Sequence, residues 1–185
     1  LNGIPLNDAE SSRTYLVDLP DIVNSTDEIN VYSGFVPGRS GPGAFGASVD
    51  LFTNSLYFKP FAKVKSRIAS YHTSVFSLQA NTGLFEDSYN LEIRLSSLRS
   101  NGFIDRSGSQ LKSFSFCALK IKPKYSLRLN VFNGNETTDQ AWNGLPYSYF
   151  NVDSLYKFNS AGTEKPGTPY SNEIDHYSQT HTQLF

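Results

Sequence analysis

The chain has no methionine, a single cysteine, one tryptophan and three histidines among its 185 residues. One cysteine, Cys117, excludes an internal disulfide. His72, His176 and His181 show no ligand spacing with it, which removes a zinc site. His176 and His181 are five apart, so on a strand they fall on opposite faces and cannot form a metal pair. No metal and no cofactor is expected, and Cys117 reads as buried and inert. The net charge is −1, which offers no electrostatic basis for binding nucleic acid. There is no run of about 18 apolar residues, so a membrane helix is excluded. A membrane strand is not, since it needs only about 9–11 residues of alternating pattern. No nucleophile–base constellation stands out, and an enzyme is not expected. With no Met at position 1 and Leu184-Phe185 in mid-pattern, the chain reads as an internal piece of a longer one, without a visible signal peptide.

Aromatics are abundant: fourteen Phe and eleven Tyr. They favour strands and also form the girdles of membrane barrels. Hydrophobic content of 38% with 18% charge excludes disorder by composition.

Asn2-Gly3 marks a tight turn, and residues 7–13 (N-D-A-E-S-S-R) form a polar loop. Residues 19–24 suit one helical turn, capped by Asp18 with Pro20 near its start. A strand-like run from Glu28 to Tyr32 then enters a loop carrying Gly34, Gly38, Gly41, Gly43 and Gly46, and a second run leaves from Ser48 to Thr53. Residues 41–46 match G-x-G-x-x-G, but that fingerprint needs a helix opening on the glycines to hold a pyrophosphate. Here S-V-D-L-F-T follows, which is a strand. A structural glycine loop is the reading.

After the linker, Asn54 to Pro60, the period becomes two. Ala62, Val64 and Ile68 oppose Lys63, Lys65 and Arg67. Phe76, Leu78 and Ala80 oppose Ser77, Gln79 and Asn81. Tyr89, Leu91, Ile93 and Leu95 alternate with Asn90, Glu92, Arg94 and Ser96. Phe114, Phe116 and Ala118 alternate with Ser113, Ser115 and Cys117, and after a turn over 120–124 Tyr125, Leu127, Leu129 and Val131 alternate with Ser126, Arg128 and Asn130. A further strand starts near His176. Connections near 85 and 122 are short, the one near 105 is longer, and about 40 residues separate Asn133 from Asp175. Short and long connections in alternation are the habit of outer-membrane barrels, whose wet lumen takes the charged face. Strands that do not close leave an open edge, so further strands are needed to complete a barrel.

These residues resemble the TonB-dependent outer-membrane receptors typical of Bacteroidota. The likeness lies in the ordered set L-N-G-I-P-L-N-D (1–8), Asp18-Leu19-Pro20, I-x-V-x-x-G (29–34), G-x-G-A-x-G (41–46) and the strand ending at Thr53. Gly102-Phe103-Ile104-Asp105-Arg106, residues 111–114 and residues 140–146 (Q-A-W-N-G-L-P) extend it into the barrel. Two departures are Ala47-Ser48-Val49-Asp50 in place of Gly-Gly-x-Asn, and Ser33 where the family has an arginine, which leaves open how plug and barrel are ion-paired. The resemblance implies a mainly β chain: the C-terminal part of a plug over 1–54, then the first antiparallel strands of an incomplete transmembrane barrel over 55–185. It implies active import of a scarce solute, such as a siderophore, cobalamin or oligosaccharide, across the bacterial outer membrane. The implied partners are the TonB–ExbB–ExbD complex, engaged through a segment upstream of this chain, outer-membrane lipid and the extracellular solute. By the same resemblance Asn7, Asp8, Glu10, Ser11, Arg13 and Tyr15 lie in a plug apical loop and contact ligand. Trp142, Asn143 and Tyr147, with Tyr149 and Phe150, lie in a long outer loop where aromatics can stack on a ligand. Gly34, Gly41, Gly43 and Gly46 are structural glycines of the plug, and Lys63, Lys65 and Arg67 are expected to hydrogen-bond plug to barrel. The alternative is a secreted β-rich carbohydrate-binding or adhesin module; Asn24-Ser25-Thr26 and Asn135-Glu136-Thr137 fit the glycosylation pattern.

Overall fold

A computed structural model describes residues 1–7, 10–11, 13–34, 46–53, 56–139, 141–163, 165–172 and 174–184. The chain is mainly β and forms two antiparallel sheets. The smaller pairs β1 (Glu28–Ser33) with β2 (Ala47–Phe52), Val31 opposite Val49. The larger has six strands in chain order: β3 (Phe61–Ala69), β4 (Thr73–Asn81), β5 (Tyr89–Ser100), β6 (Ser109–Lys122), β7 (Tyr125–Asp139) and β8 (Ile174–Leu184). Each period-two segment became a strand, and the run starting near His176 is β8. Among the described residues no pairing joins β3 to β8, so the sheet is open.

Local chemistry explains the turns. Asn2 and Gly3 both take positive φ (52° and 84°) and Ile4 N–H donates to Leu1 O at 2.9 Å, the type I′ geometry that Asn-Gly favours. Tyr71 and His72 also take positive φ (59° and 52°), turning β3 into β4 within residues 70–72. This tight turn sits at the same end of the sheet as the connections 101–108 and 140–173. At the other end, 82–88 is nearly as long as 101–108, and only 123–124 is very short. Strict alternation of short and long connections therefore fails; the contrast holds between 123–124 and 140–173. The turn expected near residue 20 is two 3₁₀ turns, Leu16–Asp18 and Ile22–Ser25. Asp18 ends the first, and the residue ahead of the second is Asp21, at φ 63° with no side-chain cap.

The middle of the sheet is inverted relative to a water-soluble one. On β5 the polar side chains Asn90, Glu92, Arg94 and Ser96 are 3–9% exposed, whereas Leu91, Ile93 and Leu95 are 37–41% exposed. Val64, Ile68, Phe76, Phe114 and Leu127 are exposed on the same apolar face. The described residues of the N-terminal segment cover the polar face from β5 to β8. Leu19, Ile22 and Leu51 bury themselves against Phe132, an aromatic on the inner side of β7, with Leu1 and Leu6 alongside. Asn2 hydrogen-bonds Gln183 of β8 at 3.1 Å, and Ser113 of β6 donates to Asp21 at 2.7 Å.

The segment comes close to the sheet at Gly134. A Cβ there would lie 2.6 Å from Pro20 O and 3.2 Å from Phe132 Cζ. Gly134→Ala is expected to lift residues 19–22 off the sheet and to cost about 1–3 kcal/mol by overpacking. Denaturant titration with limited proteolysis of residues 7–15 reads this out; unchanged stability and cleavage would mean that the segment is not seated there.

Candidate functional site

One buried polar cluster ties the N-terminal segment to the sheet. Period-two alternation places Glu92 and Arg94 on the covered face of β5, two residues apart. Arg94 Nε donates to Glu92 Oε1 at 2.7 Å, and its Nη2 pairs with Asp27 at the start of β1. Gln79, with its carbonyl turned toward the guanidinium, accepts from Arg94 Nη2 at 2.9 Å. Tyr57 donates its hydroxyl proton to Asp27 at 3.2 Å. Burial, with the Asp27 charge adding to it, pushes the Tyr57 phenol above its ordinary value, so it stays a donor. Asn81 bridges Asn90 (3.1 Å) and Glu92 (2.9 Å), and Asn90 Nδ2 reaches Tyr57 O at 2.9 Å. Residues 57–60 thus lie against the start of β5 and the 82–88 connection. Gly83 (φ +67°) accommodates them, since a Cβ would lie 2.6 Å from Pro60 N.

Among the described residues Lys63, Lys65 and Arg67 make no ion pair or hydrogen bond to residues 1–53. The pairing is carried instead by an arginine on the sheet and a carboxylate on the segment. Alternation along β5 made Glu92 and Arg94 visible as inward charges, but nothing local to Asp27 signals its partner 67 residues away.

At the opposite end, three connections pack into one surface. Asp105 N–H donates to Lys157 O at 2.8 Å. Asn159, fully buried, donates through Nδ2 to Arg106 O at 3.0 Å, and its own N–H donates to the Tyr170 hydroxyl at 3.1 Å. Phe103 stacks edge-on to Tyr71 (5.5 Å between centroids) and lies 6.0 Å from Tyr156, with the Lys157 ammonium over both rings. The long connection is therefore folded onto 101–108 rather than structureless.

The structure distributes the predicted ligand residues over two segments. Asn7, Glu10, Ser11, Arg13 and Tyr15 are exposed in the N-terminal segment, and Arg13 N–H donates to Ser11 Oγ at 3.3 Å. Trp142, Asn143 and Tyr147 are exposed in the long connection, as is Phe150, whereas Tyr149 packs on Phe158. Asp8 lies outside the described residues, as do Gly41 and Gly43. Gly34 takes φ +83° and its N–H donates to Gly46 O at 2.8 Å, closing the mouth of the β1–β2 connection. Two clefts lie elsewhere, between the N-terminal segment and the sheet, and none of these ligand candidates lines either. No protein-family model matches the chain, and no curated protein is significantly similar to it.

Proposed function

We propose that the chain is the end of a plug followed by the first strands of an outer-membrane β-barrel, part of a TonB-dependent receptor that actively imports a scarce solute. One observation carries this reading: in the middle of the six-stranded sheet, on β5 above all, the polar and charged face is buried and the apolar face exposed. A sheet in water does the reverse, because an exposed apolar face of this extent is unfavourable. A barrel wall in lipid needs this inversion, with the polar face turned to the lumen.

Strand length agrees: β5 has 12 residues, enough for a membrane strand of about 9–11. Its apolar side chains run from Tyr89 to Leu95, six steps of about 3.3 Å, or roughly 20 Å along the strand. Tyr89 carries the Lys120 and Lys122 ammonium groups over its ring, and Tyr125 is exposed beside them, an aromatic and cationic edge of the kind found at a membrane surface. On this reading the short 123–124 turn faces the periplasm and the packed connections 101–108 and 140–173 face outward. Asn7, Glu10, Ser11, Arg13, Tyr15, Trp142, Asn143 and Tyr147 are then the residues offered to ligand, and the TonB–ExbB–ExbD complex supplies the work.

The test is heat-modifiable gel migration of the full-length protein from outer membranes, followed by uptake with and without an energised inner membrane. A folded form migrating apart from the boiled form, with energy-dependent uptake, is the expected result. A water-soluble protein with no such shift would replace this reading with a secreted β-rich binding module.

A further inference from the structure

The second cleft lies where the Ile22–Ser25 turn stands over the inner face of β3, β4 and β5. It is a shallow cleft open to solvent, with enclosed room of about 10 Å³, on the order of one water. Cross-strand register puts Lys63 opposite Gln79, which is opposite Arg94; the next inner row runs Lys65, Ser77, Ser96, Ser113. Arg94 is fully engaged with Asp27, Glu92 and Gln79, and Ser113 with Asp21. What remains is two ammonium groups and a row of hydroxyls. Ser96 is 9% exposed and its buried Oγ has no hydrogen-bond partner, although it lines the cleft. A buried hydroxyl without a partner is costly, and a ligand oxygen would relieve that. Lys63 and Lys65 lie on one face about 6–7 Å apart, close enough for one tetrahedral oxyanion to meet both. Arg67 continues the same face toward the 70–72 turn.

We infer that the cleft bounded by Lys63, Lys65, Ser77 and Ser96 is an anion site on the inner wall, taking a phosphate or similar oxyanion group of a solute. Lys63, Lys65 and Arg67 carry three positive charges and make no ion pair among the described residues, which outweighs the net −1 of the Arg94, Glu92 and Asp27 cluster beside them. The inference rests on the barrel reading, because the lysines face the lumen only if the sheet is a barrel wall.

The full-length protein in neutral detergent, free of lipid phosphate, is treated with an amine-reactive ester and lysine labelling rates are followed by mass spectrometry. Inorganic phosphate is compared with chloride at equal ionic strength, which holds general screening constant. Phosphate is expected to slow labelling of Lys63 and Lys65 at least threefold and to leave Lys120 and Lys122 unchanged. Lys63→Gln and, separately, Ser96→Ala are expected to remove most of the protection at Lys65. Equal rates in both salts overturn the site. So does low reactivity of both lysines before phosphate is added, which would mean that a carboxylate of the protein already holds them. Loss of the heat-modifiable shift in the same preparation would instead count against the barrel, so the two failures are distinct. Should a variant fail to fold, the wild-type comparison alone decides.

Discussion

Replacing Arg94 with methionine is expected to destabilise the folded protein by about 3–5 kcal/mol, the range for removing one partner of a buried ion pair. The side chains of Arg94, Glu92 and Asp27 are 6%, 4% and 11% exposed. Deleting the guanidinium leaves two carboxylates in a space that water reaches poorly, close to each other and to the Tyr57 hydroxyl. The segment carrying Asp27 is then expected to leave the sheet, because separation rehydrates one carboxylate while Glu92 stays anchored through Asn81. Denaturant unfolding gives the magnitude, and proteolysis of residues 1–34 reports the release. A triple substitution, Arg94→Met with Asp27→Asn and Glu92→Gln, is expected to recover a substantial part of the loss, because no uncompensated charge remains. If the single variant is neutral, the cluster does not hold the two parts together.

Replacing Ile93 with arginine separates a membrane wall from a water-exposed sheet. Ile93 is 38% exposed and central on the apolar face, opposite Phe116 of β6 and Ala80 of β4. In lipid, an arginine on the outer face near the midplane costs about 2–4 kcal/mol. In water, the same change at a half-exposed position costs within about 0.5 kcal/mol, since the charge stays hydrated. Folding titrations of the full-length protein into bilayer vesicles measure it. A cost near zero would place this face in water and remove the support that the inversion gives to a barrel. Ser97→Arg, on the same face but beyond the apolar band, is expected to cost well under half as much, because the penalty falls steeply toward the interface.

Much of the sheet was legible in advance. Strict alternation from Tyr89 to Ser96 could only become a strand with two chemically different faces, and the same holds for β3, β4, β6 and β7. The strand expected near His176 is β8, whose register sets His176 opposite Thr137. Asn2-Gly3 specified its turn because so few dipeptides tolerate two positive φ values. Tyr71-His72 was less legible, since it adopts the same geometry without glycine, held there by the hairpin it closes.

Alternation names two faces but not which one is buried. That depended on whether residues 1–53 would dock on the polar or the apolar side, a choice made by Phe132 meeting Leu19, Ile22 and Leu51, by Gly134 admitting Pro20, and by Arg94 finding Asp27. Each of these contacts spans a long stretch of chain, so no local pattern encodes it. The same is true of Asn159, an ordinary loop residue by sequence, whose burial pins the long connection to Arg106 and the Tyr170 hydroxyl. Local periodicity determined the strands; long-range packing and ion pairing alone decided which side of them meets the rest of the protein.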